Sequence, residues 1–229
     1  MEDRVASQAL RTPRAAAIAG IVFAVLFALS IGLMRLAIPE GIQGPGGTAW
    51  LQNGGGAVRL ALMLVPFAGI AFLWFIGVLR DRLGEREDRF FATVFLGSGL
   101  LFLAMLFMSA AMVGGLIIAY TADPSRILGS TTFTSARAIA YEVMNIYAIK
   151  MAGVFMIATS TLALRTRFIA RWIAFLGYAL ALLLLLSSRY IEGILLVFPL
   201  WVLLISLYIL IDNLRQPSPA VAASPEKES

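Results

Sequence analysis

The chain has 229 residues, 60% of them hydrophobic and 14% charged, with a formal net charge of +5 and neither cysteine nor histidine. Its mean hydropathy is +0.89, and a soluble domain carries only about 45–50% apolar residues, so one soluble core cannot hide this surface. The two missing residue types exclude disulfides, thiolate nucleophiles, iron–sulfur clusters, His-ligated haem, the usual zinc and copper sites, and Ser-His or Cys-His catalysis.

Six apolar stretches follow one another: Ala15–Ile38, Val58–Leu79, Phe90–Tyr120, Ala138–Leu164, Ile169–Ser187 and Ile191–Ile211. A helix needs about 20 such residues to cross a hydrocarbon core of roughly 30 Å. The pattern predicts an all-α integral membrane bundle of six transmembrane helices over residues 15–212. A 1–14 segment precedes it, and a 213–229 tail follows, whose Pro- and Ser-rich part from Gln216 is expected to be disordered.

In the first stretch Ala16, Gly20, Ala24, Ala28 and Gly32 recur every fourth residue. Such a ladder lets helix backbones approach closely, and it is expected to pack within the same chain. Ala110/Gly114 and Ala111/Gly115 in the third stretch are its candidate counterparts. The apolar run is too long for a secretory signal core, so the first helix is read as retained. The glycine-dense segment from Pro39 to Gly56 lacks the Gly-Lys-Ser/Thr ending of a phosphate loop and reads as a flexible loop with Trp50 and Leu51 at the interface. Pro66 in the second stretch and Pro199 in the sixth each remove a backbone hydrogen bond. Between the second and third stretches, Arg80, Arg82, Arg86 and Arg89 alternate with Asp81, Glu85, Glu87 and Asp88, the pattern of a solvated, locally paired face. Met105, Met108 and Met112 share one face of the third stretch and read as adaptable packing, because copper(I) would need further soft ligands.

The fourth stretch carries the only polar constellation within apolar sequence: Glu142, Asn145, Tyr147 and Lys150. On a regular helix Glu142, Asn145, Ala152 and Gly153 fall within roughly 100° of arc, with Lys150 roughly 80° from Glu142. An ammonium deep in the bilayer costs about 2.5–3.5 kcal/mol on insertion scales. The four residues are therefore the candidate polar interior site, with the Lys150 side chain expected to lean toward Asn145 and Tyr147. The fifth and sixth stretches are separated by a tight turn at Ser188-Arg189-Tyr190.

Basic residues set orientation. Twelve (Arg4, Arg11, Arg14, Arg80, Arg82, Arg86, Arg89, Arg165, Arg167, Arg171, Arg215 and Lys227) fall on one side, against five (Arg35, Arg59, Arg126, Arg137 and Arg189) on the other. Both termini are expected in the cytoplasm. Trp74, Trp172 and Tyr208 then lie near inner helix ends, and Tyr120, Tyr141 and Tyr190 near outer ones.

Arg167, Arg171, Trp172, Leu176 and Gly177 open the fifth stretch with a basic–aromatic start and a Leu-Gly step. This segment, with the Arg-rich, Lys-poor composition, resembles uncharacterised bacterial multi-pass membrane families of actinobacterial type. The resemblance implies a bacterial plasma-membrane location and no defined activity.

The sequence thus points to a non-enzymatic membrane protein without cofactor or metal. A small transporter or channel-like bundle is one reading, supported by the polar residues of the fourth stretch and the two prolines. A non-catalytic accessory or scaffold subunit is the alternative. An intramembrane enzyme is the third, and it lacks a second carboxylate beside Glu142. Expected partners are membrane lipids and a second membrane protein or another copy of the chain; nucleic acid is not among them, since the arginines mark membrane boundaries.

Overall fold

The structure, a computed structural model, describes residues 2–37, 51, 55–83, 89–127, 130–167, 169–186 and 193–215, without the side chains of 2–14, 81–83, 89 and 215. The described residues are helical apart from short connections, with no strand among them. The helices are α1 (Glu2–Ala37), α2 (Gly56–Leu83), α3 (Arg89–Ala122), α4 (Thr131–Thr166), α5 (Arg171–Leu186) and α6 (Ile194–Arg215). Five of them, α1 to α4 and α6, contain a stretch long and apolar enough to cross a membrane. The fifth expected span, α5, is apolar and has 16 described residues, about 24 Å of helix.

Two helices begin earlier than their apolar runs. α1 extends back to Glu2, since the residues before Ala15 include good helix formers such as Ala, Gln and Arg. α4 starts at Thr131 rather than near Ala138, because Ser130 takes an extended backbone conformation and its hydroxyl accepts the Phe133 N–H at 3.1 Å. That is the N-cap geometry which satisfies an otherwise orphaned donor. At its other end α4 stops at Arg167, in the left-handed region (φ 57°), whose N–H donates to Ala163 O at 2.9 Å.

α3 and α4 are joined through a one-turn helix, Pro124–Ile127. Asp123 caps it, accepting from the Ser125 hydroxyl (2.7 Å) and the Arg126 N–H (3.2 Å), and the Ser125 bond above all holds its carboxyl below the ordinary carboxylate range. The Pro39–Gly56 loop apart from Leu51, Gly55 and Gly56, residues 84–88, the Ser188–Tyr190 turn and the tail from Gln216 lie outside the described residues.

Phenylalanine fills the centre. Phe23 and Phe27 of α1, Phe72 and Phe75 of α2, Phe95 and Phe102 of α3, Phe155 of α4 and Phe198 of α6 are all buried. Ring centroids stand 4.6 Å apart for Phe23–Phe72, 4.8 Å for Phe95–Phe155 and 4.8 Å for Phe102–Phe198. Several pairs meet edge to face, an arrangement that adds to simple area burial. Five helices contribute to this cluster. α5 contributes no ring; it lies along α4 and touches α6.

The ladder of α1 meets α2 and α6. A methyl group built on Gly20 would stand 2.0 Å from Ser206 Oγ and 2.8 Å from Phe75 Cδ2. Ala16 and Ala24 are buried, Ala28 is half-buried, and Gly32 has open space beside it. The counterpart therefore lies on α2 and α6, not on the Ala110–Gly115 segment, where a methyl on Gly115 would meet nothing and one on Gly114 only Leu62. Pro66 and Pro199 both sit inside continuous helices.

Candidate functional site: the wide turn of α4

Helix α4 is not a uniform α-helix. From Val143 to Ala148 its hydrogen bonding widens to a π-helix, and this segment lies within the polar constellation. The cause is visible in the burial pattern. Phe133, Ala140 and Val143 form the buried stripe upstream, and Ala148, Ala152, Phe155 and Thr159 the stripe downstream. Counted at about 100° per residue, the two stripes would stand roughly 100° apart on an unbroken α-helix, one residue out of phase. A π turn holds one more residue than an α turn. Val143–Ala148 absorbs that residue, and both halves of α4 present one flank to α3.

Contacts on both sides of the turn show this alignment. Upstream, Ser109 Oγ of α3 donates to Ala140 O at 2.9 Å, and Phe133 packs with Val113, Leu116 and Ile117. Downstream, Phe155 stacks on Phe95. Near the end of α4 the Arg165 guanidinium lies over the Phe91 ring, 4.7 Å from its centroid.

The four sequence-predicted site residues are distributed around this turn. Tyr147 is displaced outward and is 58% exposed. Asn145 is half-buried and turns its amide onto its own helix, Nδ2 donating to Tyr141 O at 3.0 Å. Glu142 is half-buried, one position before the π segment. Lys150, also half-buried, does not lean along α4 toward Asn145 and Tyr147. Its ammonium crosses to α5 and donates to Leu184 O (3.3 Å) and to Leu185 O. These carbonyls belong to the last described turn of α5, where helix dipoles leave partial negative charge that favours a cation.

Nothing in the sequence announced this partner, because a backbone carbonyl has no residue signature. The same holds for the seam below it. Gly153 stands against Leu185 and Ala181, and Thr161 Oγ1 and Tyr178 OH share a hydrogen bond of 2.7 Å. Ser160 Oγ and Trp201 Nε1 converge on Gly177, buried and with no hydrogen-bond partner of their own. The only sequence signal here was the Leu-Gly step at Gly177, read as part of a helix start rather than as a crossing point.

The architecture is that of an all-helical bundle, and among the described residues five long apolar helices are able to span a membrane. Comparison with protein-family models, curated proteins and solved structures returned no match.

Proposed function

We propose that the chain is a non-catalytic accessory or scaffold subunit of a membrane complex in a bacterial plasma membrane, with both termini cytoplasmic. The observation that carries this reading is the aromatic centre. Eight interlocked phenylalanine rings from five helices occupy the axis where a transporter would need polar groups or water. The lysine that most favoured transport is turned to α5, holding one helix to another. A helical bundle solid at its centre offers its outer helix faces to a neighbouring membrane protein and to lipid.

The test is gentle extraction and affinity purification from native membranes, followed by a thermal-shift screen of the purified bundle against ions and small solutes. An accessory subunit copurifies with a stoichiometric membrane partner and its melting temperature ignores the solutes. Purification alone, with a solute-dependent rise in melting temperature, would instead support the second reading, a small transporter working through Glu142, Asn145 and Lys150 at the wide turn. That reading is favoured by the π segment itself, since such turns often mark functional sites.

Orientation rests on the twelve-to-five distribution of basic residues. Reporter fusions at the N-terminus, in the Arg80–Arg89 loop, in the Arg165–Arg171 loop and at the C-terminus are expected to report cytoplasmic. A periplasmic signal from the Arg80–Arg89 fusion would overturn the orientation.

A further inference from the structure

We propose that the wide turn of α4 and Lys150 together form a latch that holds the Leu184–Leu186 end of α5 against the bundle and, when the turn changes register, lets that end swing away. Lys150 lies two residues beyond the π segment, so the turn sets its direction. If the turn moved along α4 past Lys150 with every residue retained, Ala152 and Phe155 would keep their flank while the Lys150 side chain pointed about 100° elsewhere, carrying the ammonium roughly 8 Å around the helix and off Leu184 O and Leu185 O. In the full-length chain the position of the turn and the cation–carbonyl contact are thus one device, since the turn cannot pass Lys150 without turning its ammonium off α5.

The two ends of α5 are held differently. Its Arg171 end is pinned by interhelical contacts, Thr161 to Tyr178 and the Ser160–Gly177–Trp201 crossing that ties α4, α5 and α6 together. Its far end meets α4 through Gly153, against Leu185 and Ala181, and through Lys150. α5 places no ring in the phenylalanine core, but Ala181 and Leu184 toward its far end are buried in the same cluster, so a swing of that end withdraws these two aliphatic side chains and leaves the ring-to-ring contacts in place. Displacement would open the α4–α5 seam toward Gly153.

The chain has no native cysteine, so spin labels can be placed without background. One pair reads the far end of α5 against α3, at the exposed positions Met108 and Leu186. A second pair reads the pinned end against α6, at the exposed positions Phe175 and Leu214. In Lys150→Met, pulsed electron–electron distances for the first pair are expected to lengthen and broaden, while the second pair stays as in wild type. Lys150→Arg, which keeps a cationic donor, is expected to restore the first distribution. An unchanged Met108–Leu186 distribution in Lys150→Met overturns the latch, as does equal broadening of both pairs, which would mean general loosening. Should Lys150→Met not fold, Lys150→Gln in the same two pairs is read by the same outcomes. Amide exchange tests the turn itself: residues 143–148 should exchange at least about tenfold faster than 152–158, and equal protection would show a turn that does not change register.

Discussion

Deleting Tyr147 is expected to leave the bundle folded, whereas deleting Ile157, ten residues along the same helix, is expected to unfold it. A one-residue deletion in a helix turns everything beyond it by about 100° and draws it in by about 1.5 Å, which is normally disastrous for a buried segment. At Tyr147 the geometry is reversed. The π segment Val143–Ala148 already holds a residue in excess, and Tyr147 is its most exposed member. Its removal lets the turn close to regular α geometry while Phe133, Ala140, Ala152 and Phe155 keep the flank they now turn to α3. The Ser109–Ala140 hydrogen bond and the Phe95–Phe155 stack should both persist.

At Ile157 there is no excess to remove. Lys150 and Gly153 lie before it, and Ser160 and Thr161 after it, yet all four meet α5. A deletion between them sends the two groups to different flanks, exposing buried Leu162 and Ala163 and stranding the Thr161–Tyr178 bond. The loss amounts to several large-to-small core substitutions at about 2–5 kcal/mol each. Size-exclusion behaviour and melting temperature in detergent check both. Tyr147 deletion should melt within a few degrees of wild type, and Ile157 deletion should aggregate. If both deletions aggregate alike, the account of the π segment as an absorbed residue is wrong.

How far such features were legible in the sequence depends on the physics that makes them. The spans were readable because the bilayer demands long uncharged runs, and Phe90–Ala122 came out long as expected. The start of α4 was missed because Thr131–Arg137 is polar enough to look like loop; the Ser130 cap was the available signal. The aromatic centre was not readable, since phenylalanine is equally at home against lipid and against other rings. The π segment was hidden for a different reason. It shows itself as a drift of one residue between two buried stripes, and those stripes can be told from lipid-facing apolar residues only once burial is known. The polar residues of α4 were seen, but their arrangement followed from an assumed 3.6-residue period that fails at Val143.

Glycine to alanine changes should divide sharply by position, and Gly177→Ala is expected to cost about 1–3 kcal/mol, the range for overpacking a tight core. An added methyl would stand 2.2 Å from Ser160 Oγ and 2.9 Å from Trp201 Nε1, distances that real side chains do not adopt. Ser160 has an escape. It can rotate its hydroxyl back to its own helix, as its neighbours Thr159 and Thr161 do toward Phe155 O and Ile157 O. Trp201 has none, because its ring is 2% exposed and packed within the core cluster. The residual strain therefore falls on the separation of α5 from α6. Gly20→Ala should behave similarly, since Ser206 Oγ can rotate away from the new methyl but Phe75 cannot move freely.

Gly97→Ala and Gly115→Ala are the controls. A methyl at either meets nothing within 4 Å, and alanine is intrinsically the better helix former, by about 1 kcal/mol in water. Melting curves in one detergent should show Gly177→Ala and Gly20→Ala several degrees below wild type, and the controls level with it or above. Pairing Gly177→Ala with Ser160→Gly should recover part of the loss by removing one of the two clashing groups. A Gly177→Ala protein as stable as wild type would mean that α5 does not cross α4 and α6 at this glycine.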